Sequence, residues 1–168
     1  MSYNKQKKII IREKGGLIIQ LLSGTALAAY LSLLLYLTFL SPHFGRNGFH
    51  RGINIVPFKS IAETVAGLGV QSIIIDLLGN IAAFLPLGFL LPRVFPSMGR
   101  VKRILIVAFI TSLSIEIVQY ISGVGFSDID DVLLNITGGV LGYRFHFCFF
   151  ALIRNRLRRN TRVKDTNK

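Results

Sequence analysis

The amino-acid sequence predicts an all-α, polytopic membrane protein with four transmembrane helices and both termini in the cytoplasm. Three observations carry that prediction. Hydrophobic residues fill 51% of the 168 positions and charged residues only 17%, against about 25% charged in a soluble domain. Four apolar stretches approach or exceed the roughly 20 residues that cross a hydrocarbon core of about 30 Å. The basic residues collect at alternate junctions between those stretches. With a mean hydropathy of +0.54 the chain is too apolar to be disordered. A single cysteine, Cys148, excludes an internal disulfide framework.

The first span is Leu17–Leu40, 24 residues without a charge. Its basic lead resembles a signal peptide, but the apolar run is longer than such a segment needs, and no small-residue cleavage pair precedes Pro42. The expectation is an uncleaved anchor. Ile73–Leu91 is the second span, interrupted by Asp76, Asn80 and Pro86; Pro86 should kink it. Ile104–Ser122 is the third and carries Glu116 and Gln119. Val132–Ile153 is the fourth and carries Asn135, Arg144 and His146, with Gly138, Gly139 and Gly142 permitting close packing and Cys148 filling space. Continuous rather than alternating hydrophobicity argues against a β-barrel. The chain thus divides into a basic N-terminus (1–16), a membrane domain (17–153) and a basic tail (154–168).

Orientation follows the lysine and arginine distribution. Residues 1–16, 93–103 and 154–168 hold sixteen, and the two remaining loops hold three: Arg46, Arg51 and Lys59. Both termini are therefore expected in the cytoplasm. The net charge of +12 is then mostly a topology signal, since no aromatic platform is interleaved with the basic residues, and nucleic acid is not an expected partner.

The acids are distributed oppositely. Six of the eight, Glu63, Asp76, Glu116, Asp128, Asp130 and Asp131, fall in the outer loops or the outer parts of the spans. A rise of 1.5 Å per residue places Asn80 and Glu116 both roughly 10 Å below the outer surface. Gln119 lies one turn above Glu116, and Asn135 is level with Asp76. These groups are expected to face one another, with Asn80 and Glu116 within one hydrogen bond or one bridging water, because an ionisable residue in a span turns inward and takes a partner. Glu116 is either a protonated link to Asn80 or Gln119 between helices, or a working carboxylate.

The first outer loop reads Asn54-Ile-Val-Pro57-Phe58-Lys59-Ser60-Ile61. Pro57 favours extended backbone. Ser60-x-x-Glu63 has the form of a capping box that opens a short interfacial or re-entrant helix. Lys59 is the cation near the acids and faces either lipid or the site. The last outer loop ends in Asp128-Ile-Asp130-Asp131, more carboxylates than one helix N-terminus employs. The spacing fits no EF-hand loop, and His43 and His50 lie away in a basic loop, so neither a metal nor another cofactor is expected. Asp76-x-x-x-Asn80-Ile81 echoes Asp131-x-x-x-Asn135-Ile136, as in parallel repeats about an axis normal to the membrane.

Taken together, Asn54-Ile-Val-Pro57-Phe58, Asp76-Leu-Leu-Gly79-Asn80-Ile-Ala-Ala-Phe84-Leu-Pro86-Leu-Gly88, Ser114-Ile-Glu116-Ile-Val-Gln119 and Asp128-Ile-Asp130-Asp131-Val-Leu-Leu-Asn135-Ile-Thr-Gly138-Gly139 resemble the VanZ-like family over roughly residues 17–150. The resemblance implies a small bacterial inner-membrane protein of the cell envelope. It also implies a link to glycopeptide resistance, teicoplanin in particular, with which the family's founding member is associated. It brings no accepted catalytic residues. The family often places a basic residue just before the Asp-x-Asp-Asp segment; here Gly125-Phe126-Ser127 stands there, and Lys59 or Arg51 would have to replace it.

Three functions compete on this basis. The first is an envelope factor whose outer site contacts a membrane lipid, a lipid-linked cell-wall precursor or a lipoglycopeptide. The site comprises Asn54, Pro57, Phe58, Lys59, Asp76, Asn80, Glu116, Gln119, Asp128, Asp130, Asp131 and Asn135. The second is an enzyme with Glu116 as general acid or base on a lipid headgroup. The third is a proton-coupled transporter acting as a homodimer, with Glu116 as the exchanging group. No serine or cysteine is set beside a histidine for an acyl-enzyme route, and the residues leave binding and catalysis both open.

Overall fold

The computed structural model describes residues 3–40, 52–67, 77–123 and 126–166. Helix α1 (Tyr3–Phe39) is followed by strand β1 (Gly52–Asn54) and the short helix α2 (Lys59–Gly67). Helix α3 (Gly79–Val94) leads through a 3₁₀ turn at Pro96–Met98 into α4 (Val101–Ser122). Strand β2 (Phe126–Asp128) then runs directly into α5 (Ile129–Thr166).

Three helical stretches, Gly16–Phe39, Val101–Ser122 and Ile129–Arg156, are long and apolar enough to cross a membrane. The shorter α3 is the described part of the second predicted span, and it continues past Leu91 to Val94. Residues 68–76, Asp76 among them, lie outside the described residues. Residues 3–15 extend α1 and residues 154–166 extend α5, because lysine, arginine and glutamine are good helix formers.

The buried face of α4 carries two polar residues beside the apolar Ile104, Ala108 and Ile115. Ser112 and Glu116 are buried while Ile106, Ile110 and Ile121 are more than half exposed, at 57%, 57% and 67%. An outward isoleucine face suits a hydrocarbon surround, and inward polar groups find partners there.

The contacts fix the helix directions. Gln20 Nε2 donates to the Val94 carbonyl (3.1 Å) and the Tyr30 hydroxyl to the Ala83 carbonyl (2.7 Å), so α1 and α3 are antiparallel. Ile81 meets Gly138, Leu85 meets Gly142, and the Phe89 carbonyl lies 2.8 Å from His146 Nδ1, so α3 and α5 run parallel. Asn135 with Ser112 and Tyr143 with Gly99 set α4 antiparallel to α5. Helices α3 and α5 therefore lie side by side in the same direction, with Asn80 and Asn135 toward their N-terminal ends.

Glycine makes the α3–α5 seam. A Cβ on Gly88, Gly138 or Gly142 would stand 1.8, 2.1 or 2.0 Å from the carbonyl oxygen of Gly139, Ile81 or Leu85. Backbone meets backbone there, the small-residue packing that lets membrane helices attract through dispersion. Around it Phe84, Leu87, Leu91, Ile104 and Ala108 form the buried core, joined by Leu27 and Leu34 of α1.

Two expectations need correction. The all-α reading omits β1 and β2, which pair in parallel with Asn54 opposite Asp128. Three residues are too few to show a strand period. Cys148 does not fill the interior; it is exposed, as are its neighbours Phe147 and Phe149 on α5.

Candidate functional site: an acidic cavity at one end of the bundle

The C-terminal ends of α1 and α4 and the N-terminal ends of α3 and α5 converge, and β2 delivers the chain into α5 at that point. Gly123 makes the turn possible. It caps α4 in the left-handed conformation, φ 68°, where a side chain would be strained.

Asp128 then caps α5. Its Oδ1 accepts from the Asp130 backbone N–H at 2.9 Å, the usual N-cap bond. The same carboxylate ties down the distant β1 segment. Asn54 Nδ2 donates to Asp128 Oδ1 (3.0 Å) and to Ser60 Oγ (2.9 Å), and the Ser60 hydroxyl donates to Asp128 Oδ2. Asn54 Oδ1 accepts from the Val56 N–H (3.1 Å) and closes the turn that follows.

Asp130 caps a different helix. Its Oδ1 accepts from the Phe58 N–H (2.5 Å) and its Oδ2 from the Ile61 N–H (3.1 Å). These are free donors at the start of α2. The expected Ser60–Glu63 capping box is therefore replaced by a carboxylate from some 70 positions away. Ser60 lies inside α2, and Phe58 holds a left-handed φ of 65°, which costs a non-glycine residue roughly 1–2 kcal/mol.

Below this clasp lies a cavity of about 660 Å³. Asp128, Asp130, Asp131 and Glu116 line it together with Asn80, Gln119 and Asn135. Leu34, Leu37, Phe84, Ile115 and Leu134 supply apolar wall, and Ser60, Ile61 and Thr64 of α2 border it. Among the described residues that line it there is no lysine, arginine or histidine.

Of the polar residues expected at matched depth, Asn80, Glu116, Gln119 and Asn135 surround one space, but the pairing differs. Asn80 Nδ2 donates to Asp131 Oδ1 at 2.6 Å. Glu116 is 4% exposed, and its Oε2 accepts from the Asp128 backbone N–H at 2.8 Å. It thus secures the turn into α5, rather than binding Asn80 or Gln119. Helix rotation decides such pairings, and depth alone does not specify it.

Of the other predicted site residues, Asn54 belongs to the clasp. Pro57, Phe58 and Lys59 do not line the cavity; Lys59 Nζ lies 4.0 Å from Glu63 Oε1 on the exposed side of α2. Asp76 lies outside the described residues, as does Arg51. Ser112 was not anticipated. It is fully buried and accepts from Asn135 Nδ2 at 2.8 Å. Its position four residues before Glu116, on the same face of α4, is the signal that would have found it. Among the described residues no three His, Cys, Asp or Glu side chains are placed to hold a metal ion.

The family profile described as VanZ/LLP1 matches residues 27–154. That stretch contains every residue lining the cavity. Protein VanZ of Enterococcus faecium is 29% identical over 131 residues, covering 76% of this chain and 74% of that protein. No solved structure matches the chain.

Proposed function

The chain belongs to the VanZ/LLP1 family, and from that premise we propose that it is a multi-pass protein of the bacterial cytoplasmic membrane that contributes to tolerance of teicoplanin-type glycopeptides. It does so through an outward-facing polar site that contacts lipid-linked wall material or the lipoglycopeptide itself. In this reading α1, α3, α4 and α5 are the four spans, both termini are cytoplasmic, and α2 lies at the outer surface.

The observation that carries the reading is charge separation along the bundle. Glu116, Asp128, Asp130 and Asp131 surround a cavity at one end. Arg93, Arg100, Lys102, Arg103 and Arg154 lie toward the other, at the far ends of α3, α4 and α5. The positive-inside rule assigns the basic end to the cytoplasm, which turns the cavity outward. A cavity of this size suits part of a small ligand or a headgroup, and a VanZ relative supports the envelope context.

Glu116→Gln tests the functional part. Glutamine keeps the shape and still accepts from the Asp128 N–H, but cannot carry charge. Cells expressing the variant at wild-type membrane abundance are expected to lose their teicoplanin tolerance and match cells lacking the protein. Unchanged tolerance in both Glu116→Gln and Asp131→Asn would remove the cavity from the function.

A further inference from the structure

The basic end of the bundle carries a feature that the acidic cavity does not explain. Arg93, in the last turn of α3, holds its guanidinium carbon over the Phe150 ring of α5, 4.9 Å from the ring centre. That contact fixes where the charge sits, since an aromatic face attracts a cation. It supplies no ordinary hydrogen-bond acceptor, and a guanidinium has five N–H donors. Among the described residues no carboxylate or carbonyl accepts from Arg93. The negative end of the α3 dipole offsets only about half a charge. Arg154 stands one turn beyond Phe150 on the same face of α5, and it is exposed.

The field at this end is positive beyond Arg93. Arg100, Lys102 and Arg103 open α4, whose first turn holds no acid. Cations therefore occupy the end where the helix dipole is itself positive, an arrangement that a nearby anion relieves. Next to Arg93 the surface turns apolar in a set order. Phe89 lies one turn before it on α3, about 6 Å further into the bundle. The Phe89 ring is 5.5 Å from that of Phe145 and 6.0 Å from that of Phe149, both on α5. Those two side chains are 56% and 41% exposed. A cation with free donors at the helix ends, followed inward by exposed aromatic rings, matches the order of phosphate and acyl chain in a membrane phospholipid.

We propose that the surface between the basic ends of α3 and α5 seats an anionic phospholipid of the adjoining leaflet. Its phosphodiester accepts from the Arg93 guanidinium, Arg154 supplies a second positive charge, and one acyl chain lies along Phe89, Phe145 and Phe149. A guanidinium suits a phosphate because its donors form a planar fork, and Phe150 keeps that fork from swinging into solvent. Phosphatidylcholine presents the same phosphate but carries its own ammonium, which the surrounding cations repel. The preference is therefore for a net-negative head such as phosphatidylglycerol. This seat lies at the opposite end of the bundle from the acidic cavity, so the loss of either leaves the other in place.

Native mass spectrometry of the full-length chain in a non-ionic detergent tests the seat, by titration with phosphatidylglycerol or phosphatidylcholine of the same acyl chains. The wild type is expected to prefer phosphatidylglycerol. In Arg93→Gln that binding should weaken about tenfold or more, the size of one charge-assisted hydrogen-bonded pair. Arg154→Gln, at an exposed position, should weaken it in the same sense and keeps the test open if Arg93→Gln does not fold. Lys102→Gln removes the same unit of charge from the same end and should change binding by less than about twofold. Each variant is used only as monodisperse protein. Glycerol phosphate, which has the head without the chains, should displace no lipid at millimolar concentration. Equal wild-type affinity for the two lipids, unchanged binding in Arg93→Gln, or equal weakening by Arg93→Gln and Lys102→Gln overturns the proposal, the last by leaving only diffuse charge. Displacement by glycerol phosphate at the concentration of the lipid would assign the cations to a soluble phosphate and overturn the lipid.

Discussion

Gly142→Val is expected to abolish the folded protein. The seam between α3 and α5 has no room for even one methyl group, since a Cβ at Gly142 would lie 2.0 Å from the Leu85 carbonyl oxygen and 3.0 Å from the Phe89 backbone nitrogen. The atoms it meets are backbone, so rotamer changes cannot relieve the clash. The helices would have to separate, which breaks the contacts of Gly88 and Gly138 at the same time. Overpacking in a dense interior commonly costs about 1–3 kcal/mol and sometimes more; a backbone-on-backbone clash belongs at the upper end. Size-exclusion chromatography of detergent-extracted protein should show loss of the monodisperse peak. Gly24→Val is the control, because nothing lies within 4 Å of a Cβ there. A wild-type profile for Gly142→Val would mean that the seam is not packed as described.

The second large effect is expected from Asp130→Asn. An asparagine at an ordinary N-cap is a good substitute for aspartate, but Asp130 is not used in that way. Both of its oxygens accept, one from Phe58 and one from Ile61. An amide presents one oxygen and one NH₂ group, so one backbone N–H faces another donor. The lost bond costs about 1–3 kcal/mol, or roughly 5- to 160-fold in an opening equilibrium. Because Phe58 holds a left-handed conformation, release of the clasp also relieves strain and favours detachment of α2. Hydrogen exchange of the Phe58 and Ile61 amides should accelerate within that range, while amides of the α3–α5 seam stay protected. Unchanged exchange at both would show that α2 is held by something other than Asp130.

Much of this architecture is legible in the residues, and what is not has physical reasons. Three long apolar helices and the close approach at Gly138 and Gly142 follow from hydropathy and from small residues at turn spacing. The gathering of Asn80, Glu116, Gln119 and Asn135 around one cavity follows from the cost of leaving polar groups in hydrocarbon. The individual bonds do not follow. Asn80 pairs with Asp131 instead of Glu116 because the rotation of α3 about its axis is fixed by glycine packing, to which depth is blind. The β1–β2 pair is too short to leave a period, and Gly52 reveals itself only through the Phe126 ring that a Cβ there would strike. Asp130 reads locally as one acid too many for α5. Its use becomes clear only when α2 is brought beside it.

The orientation of the cavity is the claim on which the functional account rests, and cysteine accessibility in intact cells measures it most directly. Because the native Cys148 is exposed, the background is Cys148→Ser. Single cysteines are placed at Val65, 58% exposed on α2, and at Asn155, exposed beyond the apolar part of α5. A membrane-impermeant maleimide is expected to label Val65→Cys in intact cells, and Asn155→Cys only after permeabilisation. Labelling of Asn155→Cys in intact cells, with Val65→Cys protected, would place the acidic cavity on the cytoplasmic side and contradict the account.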